Sequence, residues 1–159
     1  ALSKSAPIQL FGAFSSHADV EAMLWLSRNT RSDALILNHP GLHEADWAPI
    51  IAQRNTVFFR GQPFFSNTER VEAMWEDFRA FWRDPRDPAH RALLERYGVD
   101  YVLVPQLFGQ PDSFERMFRW RPPLPEYTVY DVAALAELPY LELVFERDGA
   151  RVYRVRRTP

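Results

Sequence analysis

Cysteine is absent from the 159 residues, which excludes disulfides, thiolate metal ligands and cysteine nucleophiles and leaves the redox compartment open. Lysine is almost absent: Lys4 is the sole one, the other 18 cationic residues being arginine, a bias to which no mechanism attaches. No apolar run approaches the roughly 20 residues that span a bilayer, so no membrane helix is read in the sequence. No charged segment followed by an apolar core opens it, so no signal peptide is read either. Glycine is sparse, with six isolated residues, and neither of the glycine-rich phosphate-binding patterns occurs. The nucleophile elbow of serine hydrolases is missing as well. Charge of one sign is not in excess: 19 cationic and 21 acidic residues give a net charge of −2, with no basic face to neutralise phosphates. Nucleic acid is therefore not an expected partner.

What is present reads as an ordinary folded domain, with 47% hydrophobic and 25% charged residues. Residues 1–15 read as a poorly ordered leader and residues 16–157 as a single α/β domain. Ser16 and Asp19 have capping-box spacing, and Val20, Met23 and Leu24 share a face of a helix running to Asn29. The apolar run Ala34-Leu35-Ile36-Leu37 then has the character of a strand buried on both faces. Residues 38–52, with two prolines and two histidines, read as a loop, and Thr56-Val57-Phe58-Phe59 as a second strand. A long helix is expected from 66–68 to about Trp82, and a shorter one from Pro88 to Tyr97 stopped by Gly98. Tyr101-Val102-Leu103-Val104 is another buried strand. Residues 106–130 are rich in Pro, Arg and aromatics, too irregular for an element to be assigned and longer than most loops in compact domains. After a helical turn over 133–138, alternating Leu141, Leu143 and Phe145 lead through an Asp148-Gly149 turn into Arg151 to Val155, an antiparallel hairpin. The repeated order of helix, turn and buried strand gives the expected fold class: α/β, a Rossmann-like three-layer sandwich with a mostly parallel sheet and a C-terminal antiparallel hairpin.

Candidate chemistry is thin. His39, His43, Glu44 and Asp46 follow the first buried strand, where α/β folds often place their sites, and two histidines with a carboxylate can hold zinc. They sit in a Pro-Gly loop whose spacing fixes no geometry, so solvated loop residues are the competing reading. His39, His43 and Trp47, together with Arg119, Trp120 and Arg121 of the aromatic-basic segment, are the candidate ligand-binding residues. Trp75, Phe78, Phe81 and Trp82 have helical spacing and read as core rather than as a sugar-stacking platform. Glu69, Glu72, Glu76 and Asp77 share a helix with Arg70, Arg79 and Arg83, the pattern of a solvated face laced with ion pairs. No catalytic residue and no cofactor are expected.

Three segments carry a resemblance: residues 18–37 (ADVEAMLWLSRNTRSDALIL), 93–104 (LLERYGVDYVLV) and 139–155 (PYLELVFERDGARVYRV). In content, order and spacing they resemble the soluble region beyond the last membrane helices of large bacterial polytopic membrane proteins similar to GT-C glycosyltransferases, the class that uses lipid-linked sugar donors. The resemblance covers about residues 18–155. It implies a non-catalytic domain on the extracytoplasmic face of the bacterial membrane. The implied partners are the membrane-embedded remainder of the parent, an acceptor such as a glycan or lipid-linked sugar, or another protein. Proteins of that kind are expected to carry their catalytic acid on a loop between membrane helices near the start of the chain, a region this sequence does not contain, so no catalytic residue follows. Their loop after the first strand often holds a Gly-Gly-Trp-like stretch, of which only Trp47 is matched. The alternatives are a carbohydrate or small-ligand binding module and a metal-dependent hydrolase using His39, His43, Glu44 and Asp46.

Overall fold

The architecture follows from a computed structural model, which describes residues 15–40, 47–59, 68–109 and 132–157. Helix α1 (His17–Asn29) begins where the sequence places it. The Ser16 hydroxyl accepts from the Asp19 N–H at 3.1 Å, and the Asp19 carboxylate accepts from the Ser16 N–H at 2.8 Å, closing a capping box. Ala18, Ala22, Met23 and Leu26 form its buried face. Strand β1 (Leu35–Leu37) follows, then the short helix α2 (Ala48–Ala52), with proline in its first turn where the missing N–H costs nothing, and β2 (Asn55–Thr56). Helices α3 (Thr68–Arg83) and α4 (Ala89–Tyr97) lead to β3 (Tyr101–Val104) and the single turn α5 (Gln106–Gly109). Gly98 ends α4 at φ 69°, the left-handed conformation glycine adopts without steric cost. A 3₁₀ helix (Val132–Glu137), β4 (Leu141–Arg147) and β5 (Ala150–Val155) complete the described chain.

The five strands form one sheet in the order β2-β1-β3-β5-β4. β1 pairs parallel with both β2 and β3, whereas β5 is antiparallel to β3 and to β4. The expected mostly parallel sheet is thus only half so: the closing hairpin does not hang off the sheet but supplies two of its five strands, inserting β5 beside β3. The hairpin turn is the one expected, with Asp148 at φ 46° and Gly149 at φ 90°. Between Leu143 and Phe145 the register shifts, so that an extra residue of β4 bulges against β5.

Side chains alternate across the sheet into two cores. Ile36, Leu103, Ala150 and Val152 meet α1 and α2 on one face, while Leu37, Val102, Val104, Tyr153 and Val155 meet α3 and α4 on the other. Layers of helix therefore lie on both faces. From β1 the chain reaches β2 by way of α2 on one face, and returns past β1 to β3 by way of α3 and α4 on the other. Right-handed crossovers that reverse direction require this change of face.

Two expectations are corrected here. Residues 48–52, read as loop, are α2. The second strand, read over residues 56–59, is confined to Asn55–Thr56. It stops because Phe58 leaves the ladder for a side chain: the Asn38 amide accepts from the Phe58 N–H at 2.9 Å and donates to the Phe58 carbonyl at 2.8 Å.

Candidate functional site

The connections after β1 and β3 leave in opposite directions, and the carboxyl ends of these two strands are the place at which α/β sheets put ligands. Asn38 and His39 leave β1 there; Pro105 and Gln106 leave β3. Four contacts fix the arrangement. Trp82 of α3 donates its indole N–H to the Asn38 carbonyl at 3.2 Å. The His39 ring stacks on Phe108 with centroids 3.9 Å apart and meets the edge of Trp82 at 5.0 Å. The Gln106 N–H donates at 2.7 Å to the Asp19 carboxylate, itself buried, so the capping residue of α1 also anchors the segment after β3.

His39 is fully buried in this arrangement. It packs with Trp82 of the α3 face, whereas Trp47, 41% exposed, heads α2 on the opposite face. His39 thus belongs to the core, and Trp47 to the surface at the start of α2. The other candidates, His43, Glu44, Asp46, Arg119, Trp120 and Arg121, lie outside the described residues. Among the described residues, no group of three or more His, Asp or Glu side chains is placed to hold a metal ion.

The α3 residues separate as the helical spacing implies. Phe78, Phe81 and Trp82 are fully buried, and Trp75 spans the edge of the core while its indole N–H donates to the Val57 carbonyl at 2.8 Å. On the outer side, Glu76 accepts from Arg79 at 3.2 Å and from Arg83 at 3.0 Å, and Arg96 donates to Asp77 at 3.1 Å. The hydrogen bonds from Arg79 and Arg83 hold the Glu76 carboxyl below the usual carboxylate range, the opposite of what a general acid at neutral pH needs.

A cleft of about 370 Å³ opens along the outer edge of β2, lined by Pro49, Gln53, Arg54, Asn55 and Phe59 among others. Sequence reasoning did not single it out. The one local sign is Gln53, which takes φ 53° and ψ 42° as α2 gives way to β2, a left-handed conformation uncommon outside glycine.

No protein-family model and no curated protein matches the sequence. Its fold is similar to that of the C-terminal globular domain of oligosaccharyltransferase from Archaeoglobus fulgidus. The TM-score is 0.56, and the match covers 90% of this chain and 100% of that domain at 16% identity. At that identity the likeness concerns the fold: a mixed α/β domain whose helices flank an open sheet. Among the described residues, no helix is long and apolar enough to cross a membrane.

Proposed function

We propose that the chain is a non-catalytic, extracytoplasmic domain of a bacterial polytopic membrane protein resembling GT-C glycosyltransferases, and that it contacts the membrane-embedded part, an acceptor or a partner protein. The observation that carries this reading is the similarity of fold, over 90% of this chain, to the C-terminal globular domain of an oligosaccharyltransferase. It agrees in kind with the resemblance carried by residues 18–37, 93–104 and 139–155, which uses sequence alone. In this reading a glycan or lipid-linked sugar reaches the domain as the acceptor or donor of chemistry performed elsewhere in the parent.

Two measurements test it. The reading frame that encodes this chain is expected to hold, upstream of Ala1, several apolar segments of about 20 residues each. In intact cells, protease or an antibody raised to the domain is expected to reach it from outside. Access only after the cytoplasm is opened would overturn the extracytoplasmic placement.

A further inference from the structure

The cleft along the outer edge of β2 has about 370 Å³, within the range of small-ligand sites. Pro49 and Phe59, both partly buried, give it apolar surface. Ser32, Gln53 and Asn55 line it as exposed polar residues, and among the described residues their side chains have no hydrogen-bonding partner in the protein. The main chain adds a further pair of groups. β1 takes up the Val57 N–H, which donates to the Ile36 carbonyl at 3.0 Å, so strand alternation turns the N–H and carbonyl of Thr56 toward the outer edge and the cleft.

The backbone that carries these groups is fixed from within. Arg54 also lines the cleft, yet its five N–H groups all go to protein oxygens: the Thr30 hydroxyl and the carbonyls of Ser27, Thr30, Ala52 and Gln53. It thereby ties the junction of α2 and β2 to the end of α1 and has no donor left for a ligand. Gln53 stands at φ 53° and ψ 42°. Glycine adopts that left-handed conformation freely and a residue with a Cβ does not, so folding alone favours glycine here. An amide side chain held there at a cost in stability points to a role in binding, as backbone strain at ligand sites does.

The groups present select a class of ligand. A hydroxyl and two primary amides each donate and accept, as sugar hydroxyls do, and one amide can engage two neighbouring hydroxyls through its carbonyl and its NH₂. Phe59 and Pro49 offer apolar surface to the C–H face of a pyranose ring. An anion calls for a cation with donors to give, and Arg54 has spent its own. An added peptide strand calls for a run of main-chain groups, whereas the two-residue β2 turns only those of Thr56 outward. We propose that the cleft beside β2 is a subsite for one neutral pyranose unit of a glycan. The inference rests on the reading above, in which a glycan reaches the domain, and specifies where one of its sugars binds and through which groups.

The test is an amide-shift titration of the isotope-labelled chain by NMR with the methyl glycosides of glucose, mannose and galactose and with N-acetylglucosamine, one at a time. At least one sugar is expected to shift the Gln53, Asn55 and Thr56 amides and to saturate with a Kd on the order of 1 mM. Asn55→Ala and Gln53→Gly are each expected to weaken that binding about fivefold or more, by loss of a hydrogen-bonding amide. Gln53→Gly is expected to leave the urea midpoint unchanged or higher, because glycine relaxes the backbone there, so its loss of binding is not a loss of fold. The proposal is overturned if no sugar moves these amides, if the shifts never saturate, or if both variants bind as the parent sequence does. Shifts of the same amides by tetra-alanine and by no sugar overturn it in favour of strand addition at β2. Failure to bind sugar leaves the membrane-protein reading standing, whereas saturable binding in a chain with no apolar segments encoded upstream keeps the subsite and overturns that reading.

Discussion

Two side chains do structural work that their residue types do not announce. Asn38 takes the place of a longer β1, exchanging both amide hydrogen bonds with Phe58 while its own carbonyl receives Trp82. Asn38→Ala leaves the buried Phe58 N–H without a partner and its carbonyl with only the Thr56 hydroxyl at 3.3 Å, so a loss of about 1–3 kcal/mol is expected in urea unfolding. An unchanged midpoint would mean that these groups find other partners. Arg54 closes the carbonyl end of α1 by fork geometry, reaching Ser27, Thr30 and the residues just before it. A compact ammonium cannot reproduce five directed donors, so Arg54→Lys is expected to destabilise by about 1–3 kcal/mol in the same measurement despite keeping the charge. Neither role could be read along the chain. Asn38 acts on a residue 20 positions away, and Arg54 on residues 24 and 27 positions away.

Elements with local instructions were legible. α1 carries its capping box in its own sequence, α4 its stop at Gly98, and the hairpin its Asp148-Gly149 turn. Ser16→Ala is therefore expected to cost about 1 kcal/mol, read from the thermal or urea midpoint. Gly149→Ala, which forces a Cβ into the left-handed region, is expected to cost about 1 kcal/mol. A midpoint shift near zero for Gly149→Ala would show that the turn changes type. α2 and β2 were not legible because both are short. Five helical residues lack a periodic stripe of their own, and two strand residues lack an alternation; both are held by packing on α1 and pairing with β1.

For the whole molecule, burial sets the response to alkali. Tyr140 and Tyr153 lie in the α3 face of the core, and burial pushes both phenols above their ordinary value near 10, with Arg91 and Arg151 respectively acting against it. The folded state thus holds these protons more tightly than the unfolded chain. Their contribution to stability is complete below about pH 10 and is lost as the pH rises through the folded values. Phenolate absorbance is expected to show a component that ionises above the ordinary value near 10, alongside a fall in the denaturation midpoint above about pH 10. Tyr140→Phe should weaken that fall. A single titration of all the tyrosines near 10 would contradict it. The surface ion pairs, such as Arg91 with Glu95 and Arg86 with Glu137, are solvated and are expected to contribute little.

The sequence by itself determined that helices and strands mix in one α/β domain, with the main helices, the two central buried strands and the closing hairpin, because caps, turns and apolar periodicity are properties of neighbouring residues. It also placed Phe78, Phe81 and Trp82 in the core, by helical spacing alone. Only the tertiary structure decided that the hairpin enters the sheet beside β3 and makes half of its pairings antiparallel. Likewise, His39 stacks on Phe108, and Asp19 joins a residue 87 positions away. Those outcomes depend on which distant donors and apolar surfaces meet, and such meetings are settled by burial across the sheet rather than by any pattern along the chain.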